Sequence, residues 1–356
     1  MGSIIRQWPR WAGYAAGAWS MGAVAVALYW AFGGEAGNRL DGMRPVAWVI
    51  AACLGAGGIM AVSSVRDVGR HMPRWWPLAG LWGAFAVAGA GTFGFVMNAL
   101  QLAFTGTVDD WPAFGVEILC AAGAALLAGA ALAYQRRTAG ACARCGRVHA
   151  DTGTVRRPAP VSAPPRGVHW AAYAGTLAFV PYAVMKTTWA LGGSFAGIEG
   201  ERVVAEFERN GASGLVLTLE KYGLDFTTLS AALGVVLLFA LTREWGQVFP
   251  RWTPFAGRGV PRWLPLAPAW LGALTLGPYG VVGTVGYLLP PVVGLGDLPD
   301  DPLLHGWSGW TVAACGIVAF AVYGTALGAA AWSYQRRTRP RCVSPGSPAA
   351  GAPSAP

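Results

Sequence analysis

Eight stretches of this chain are each long and apolar enough to cross a bilayer, which takes about 20 apolar residues in an α-helix. They fall near residues 11–32, 46–65, 77–104, 113–135, 169–192, 224–243, 264–291 and 309–335. The third and seventh exceed the minimum, so they tilt or begin in the interface. Of the 356 residues only 12% are charged and 54% are hydrophobic, whereas a soluble domain carries about 25% charged residues. The expected fold is therefore an all-α integral membrane bundle of eight transmembrane helices. The first stretch has no small-residue cleavage site and is similar to the fifth, which predicts a retained span rather than a signal peptide.

Net charge is +9, a balance that elsewhere suggests nucleic acid, but here the positive charges track the loops. The N-terminus, the loops near 66–76 and 243–263, the linker 136–168 and the tail hold 20 of the 26 basic residues and three acids, Asp67, Asp151 and Glu244. The opposite loops hold five basic residues and 13 of the 17 acids. Positive loops stay inside. The reading is a multi-pass protein of the cell (cytoplasmic) membrane with both termini cytoplasmic, lipids as partners and no nucleic acid.

The sequence is written twice. "WAGYAAGAWSMGAVAVALYWAFGG" (11–34) aligns without a gap on "WAAYAGTLAFVPYAVMKTTWALGG" (170–193), an offset of 159. Arg66 and Pro73-Arg74-Trp75 then match Arg243 and Pro250-Arg251-Trp252 at offset 177; "PRWWPLAGLW" matches "PRWLPLAPAW" at 188, and "YQRRT" (134–138) recurs at 334–338, offset 200. Offsets only grow, so the second half is the first with loop insertions of 18, 11 and 12 residues. Four spans per half keep the halves parallel, related by a pseudo-twofold along the membrane normal. The expected organisation is a first half (1–135), a Cys/Arg/Pro-rich linker (136–168), a second half (169–338) and a low-complexity tail (339–356).

Pro-Arg-Trp occurs four times, ending at Trp11, Trp75, Trp252 and Trp263, each at the expected inner boundary. Trp favours the headgroup zone, Arg pairs with phosphate or snorkels, and Pro is tolerated at a helix start. These four tryptophans are expected interface anchors. The run "GQVFPRWTPFAGRGVPRWLPLAPAW" resembles a segment of uncharacterised actinobacterial multi-pass membrane proteins. The resemblance covers one loop and the start of the seventh span, and implies a membrane location and a lineage, with no activity attached.

Candidate sites are few. "ACARCGRVHADTG" places Cys142, Cys145 and His149 at zinc-ligand spacing, and Cys342 lies eight residues after Tyr334 as Cys142 does after Tyr134. Cys142, Cys145, His149 and Cys342 would make a Cys3His zinc site clamping the two halves; the alternatives are reduced thiols in a flexible linker or a redox pair. Cys53, Cys120 and Cys315 fall in spans and are expected as small buried residues. Within the membrane stretches, Lys186 and Glu117 are the charged residues that matter most, since a basic group near mid-bilayer costs about 2.5–3.5 kcal/mol on insertion scales. A Lys186–Glu117 pair, with Pro181 loosening the helix, is the candidate transport path; snorkelling of Lys186 is the plainer account. Asp109-Asp110 and Asp300-Asp301, the latter near His305, would offer oxygens to an outer cation, against a helix-cap role for Asp110. In the 18-residue insertion, Val203, Val204 and Phe207 share one helical face opposite Glu201, Glu206 and Glu208, suiting either a membrane surface or a cover over the bundle.

Catalytic signatures are absent: no phosphate loop after a strand, no H-E-x-x-H, no G-x-S-x-G. Three classes follow: transport of a small solute or ion, a membrane-embedded sensor or scaffold holding a cytoplasmic partner, and, least supported, an intramembrane enzyme.

Overall fold

The computed structural model describes residues 8–35, 37–38, 43–66, 73–92, 94–95, 98–99, 101–102, 106–108, 110–142, 145, 148, 155–209, 214–224, 226–298, 300 and 305–343. The chain is mostly helical and divides into two compact units. The first comprises Met1–Ala99, Thr107–Ala159 and Arg339–Pro356, the second Leu100–Gly106 and Pro160–Thr338. Residues 155–157 of the linker and 341–343 after the last helix thus belong to the first unit.

The first unit holds α1 (Trp8–Ala31), α2 (Arg44–Val65), α3 (Trp75–Ala90), α4 (Trp111–Thr138) and the strand β1 (Val155–Arg157). Asp110 caps α4, its Oδ1 accepting from Ala113 N at 2.9 Å with Pro112 in the first turn, and Arg136 and Arg137 occupy the last turn. Both ends therefore suit the helix dipole. The α1–α2 contact is the most extensive of the unit, and small residues make it possible. A Cβ on Gly58 would sit 2.6 Å from Ser20 Cβ, and one on Gly13 2.6 Å from the Ala61 carbonyl oxygen. The core formed around this crossing contains Ala16, Leu54, Ala61, Leu81, Leu127 and Ala131.

The second unit holds α5 (Arg166–Leu177), α6 (Val180–Ala190), a hairpin of β2 (Ser194–Phe195) and β3 (Ile198–Glu199), α7 (Gly200–Arg209), α8 (Gly214–Lys221) and α9 (Phe226–Thr242). α10 (Trp263–Gly283) follows and runs through a π-helical turn, Thr284–Leu288, into α11 (Leu289–Val292). α12 (Gly306–Arg337) ends the unit, and the strand β4 (Arg341–Val343) returns to pair antiparallel with β1 in the first unit's own sheet. α5 and α6 are two helices where one span was expected over 169–192. Pro181 has no N–H for the Leu177 carbonyl, and α5 ends at Leu177. Here α12 takes the central place: its contact with α10 is the most extensive. A Cβ on Gly324 would lie 2.5 Å from Gly277 Cα, so only glycine permits this approach.

Among the described residues, five helices are long and apolar enough to cross a membrane: Trp11–Ala31, Arg44–Val65, Trp111–Thr138, Trp263–Val292 and Gly306–Arg337. The stretch expected at 77–104 gives α3 of 16 residues, about 24 Å, ending at the Gly91–Thr92 turn. The stretch at 224–243 gives α9 of 17 residues, apolar but short.

Candidate functional site

Cys142 and Cys145 follow α4 after a tight turn at Ala139–Gly140, whose Gly140 adopts φ +62°. Cys342 sits in β4 opposite Arg156 of β1. This ribbon brings the three thiols together: every Sγ lies within 4.8 Å of the others, Cys145 buried and its two partners half-buried. Sulfurs sharing one tetrahedral zinc stand about 3.8 Å apart, given a Zn–S bond of about 2.3 Å, so small side-chain adjustments close the set. Arg136 interacts electrostatically with Cys142, Cys145 and Arg339. Soft sulfur donors of this kind suit zinc, copper(I) or iron–sulfur chemistry. All three thiols belong to the first unit; His149, the fourth expected ligand, lies outside the described residues. The cysteines in spans differ from expectation: Cys53 is exposed on α2, and Cys120 and Cys315 are half-buried.

The buried lysine has a partner other than the one expected. Lys186 Nζ donates to Glu220 Oε1 at 2.8 Å, their side chains 9% and 5% exposed. Glu220 belongs to α8, in the insertion. The ammonium also faces the rings of Trp189 at 5.9 Å and Phe207 at 5.7 Å, and Trp189 Nε1 donates to the Ile198 carbonyl at 2.9 Å. Hairpin, α7 and α8 together enclose the charge, with Val203 buried beneath them. Glu117, buried on α4, accepts instead from Asn98 Nδ2 at 2.7 Å. Pro181 marks the α5–α6 break and adjoins Tyr182, whose hydroxyl bonds Thr227.

Of the acidic pairs, Asp110 is the cap of α4. Asp300 forms a backbone bridge with His305 at the start of α12. Asp109, Asp301 and His71 lie outside the described residues. The four Pro-Arg-Trp tryptophans are all exposed: Trp11 in α1, Trp75 and Trp263 as first residues of α3 and α10, Trp252 in a loop. Arg262 is used internally, donating to the Gln335 carbonyl and to Thr338 Oγ1, each at 3.0 Å.

One arrangement went unread in the sequence. Arg137 Nη2 donates to the Ser64 carbonyl at 2.5 Å, and Arg337 Nη2 to the Leu241 carbonyl at 2.7 Å. Each guanidinium thus holds the last turn of a neighbouring helix, α2 or α9, where carbonyls lack intrahelical donors. Arg337 also bonds Ser162, and Tyr334 Oη donates to the Gly246 carbonyl at 2.7 Å. The doubled "YQRRT" was the available signal.

No protein-family model matches the chain, and no curated protein or solved structure does either.

Proposed function

We propose that this chain is a multi-pass protein of the cell membrane, built as a parallel four-plus-four repeat with both termini cytoplasmic. Its inner face is organised by a zinc–thiolate centre and holds a soluble partner, making it a sensor or scaffold. The convergence of Cys142, Cys145 and Cys342 to within 4.8 Å carries this reading. Two of these residues follow α4 and the third follows α12, so a metal would fix the segment after the last helix onto the linker. His149 would complete the tetrahedron, and zinc needs such a closed shell to act structurally.

Internal correspondence supports the repeat. Arg137 and Arg337 stand at offset 200, and their acceptors Ser64 and Leu241 at offset 177, the values that the sequence alignment requires. Leu127, Ala131 and Tyr134 are buried, as are Leu327, Ala331 and Tyr334 at offset 200. Eight spans follow if α3, the α5–α6 pair and α9 also cross the membrane.

Metal analysis of the purified, detergent-solubilised protein tests the proposal, beside Cys142→Ser. About one zinc per chain, lost in the variant, is expected for a closed site. Metal-free protein with all thiols still reduced would reject the zinc centre. Solute transport is the second reading, favoured by the buried Lys186–Glu220 pair beside the Pro181 break. It predicts solute flux that Lys186→Met abolishes and Cys142→Ser leaves intact.

A further inference from the structure

Between α9 and α10 the chain forms a folded finger rather than a loose loop. Val248 and Gly259 bridge antiparallel; Phe249 N donates to the Arg258 carbonyl at 2.9 Å, Gly257 N to Phe249 at 3.1 Å, and Val260 N to Gln247 at 2.8 Å. Gly257 closes the turn at φ +72°, a conformation that costs glycine little. The Phe249 and Phe255 rings pack at 5.5 Å. The base is pinned on both sides of one side chain: Gln247 Nε2 donates to the Ser162 carbonyl at 2.9 Å, and Oε1 accepts from Ser162 N at 3.2 Å.

What the finger presents is apolar and basic. Trp252 is 85% exposed and Phe255 51%, with Arg251, Pro254 and Arg258 exposed beside them. Neighbouring arginines are already engaged, Arg243 with the Tyr173 hydroxyl and Arg262 with the end of α12. The sequence comparison singles out the same residues. The first half has one Pro-Arg-Trp here, at Trp75, and the second has two, at Trp252 and Trp263, separated by the 11-residue insertion. That insertion makes up most of the finger.

We infer that the finger is a binding site for the headgroup of an anionic phospholipid. Trp263, three residues past the finger's last paired residue, opens a span-length apolar helix, which holds the finger at the membrane surface. There an indole and a phenyl ring favour the headgroup–acyl boundary, while two guanidinium groups match the phosphate oxygens bidentately. The finger's order before binding keeps the entropic cost of recognition low. This inference does not depend on the metal centre.

Native mass spectrometry of delipidated, full-length protein, titrated with phosphatidylglycerol or phosphatidylcholine, tests it. Wild-type protein should bind phosphatidylglycerol in preference. Arg251→Ala/Arg258→Ala should bind it about 30-fold more weakly, at the usual contribution of each basic residue to anionic-lipid binding, with phosphatidylcholine binding unchanged. Trp252→Ala should weaken both lipids. All three side chains are exposed, so the unfolding midpoints should match wild type. Equal affinity of wild type for the two lipids would overturn the inference. So would undiminished phosphatidylglycerol binding by the arginine variant, which would leave an acidic protein surface as the occupant.

Discussion

In the first unit the closest helix crossing is α1 on α2, through Gly13, Gly17 and Gly58; in the second it is α10 on α12, through Gly277, Gly280 and Gly324. By the internal alignment these are different helix pairs, since α10 and α12 correspond to α3 and α4. The buried ends match nonetheless: Tyr134 and Tyr334, which begin the two Tyr-Gln-Arg-Arg-Thr runs, are both buried, and Arg137 and Arg337 each hold a neighbouring helix end. Packing of small residues is local and re-assigned whenever glycines move along the sequence. The arginine clasps depend on a single hydrogen-bond geometry, and they persist.

A second difference shows how an insertion and a charge go together. Ala27 of α1 is buried, and the gapless sequence match at offset 159 aligns it with Lys186. Burying an ammonium without a partner is costly, and the segment that supplies Glu220 is present only in the second half. The largest expected effect follows. Glu220→Ala should lower stability by about 3–5 kcal/mol, because it removes the carboxylate that the buried Lys186 ammonium bonds. The double variant Lys186→Ala/Glu220→Leu, which restores the first half's alanine, should recover most of the loss. Unfolding midpoints in detergent measure both; a double variant as unstable as the single one would break the link between charge and insertion.

The glycine crossings give an intermediate effect. Position 324 corresponds to Ala124, so Gly324→Ala places in the second unit what the first unit tolerates. With Gly277 Cα 2.5 Å from the new Cβ, overpacking should cost about 1–3 kcal/mol. Gly58→Val, which places the second half's Val235 into α2, should cost a similar amount against Ser20. If both substitutions left the unfolding midpoint unchanged, the crossings would not distinguish the units.

Helix positions were legible because apolar length decides them, and the five longest were found within a few residues. Helix breaks were not: the division of 169–192 at Leu177 turns on one missing N–H at Pro181, and the early end of α3 on the run Gly89-Ala90-Gly91-Thr92. The thiol set was legible in its described members, since Cys142 and Cys145 form a Cys-x2-Cys pair and Cys342 lies eight residues after Tyr334 as Cys142 does after Tyr134. The β1–β4 ribbon that joins them was hidden, because three-residue strands in a Pro-rich linker and tail carry no periodicity. Glu220 was missed as the partner of Lys186 for a similar reason. Hydropathy places it in a loop, and only the folding of α7 and α8 over α6 buries it.

The helix starts offer the smallest and most specific contrast. α4 begins at Asp110, whose carboxylate bonds Ala113 N, whereas α12 begins at His305, which is exposed and makes no side-chain cap bond. His305 already has the extended backbone of a cap, φ −99° and ψ 155°, in the same broad region as the φ −130° and ψ 92° of Asp110. A short acceptor there should reach the free N–H groups of the first turn without moving the chain. Asp110→Ala should therefore cost about 1 kcal/mol, and His305→Asp should gain a similar amount. Amide exchange would localise each change to its own first turn, faster in α4 and slower in α12. Stabilisation spread over the whole second unit would mean instead that His305 strains the approach to α12, and that the two starts differ by more than a cap.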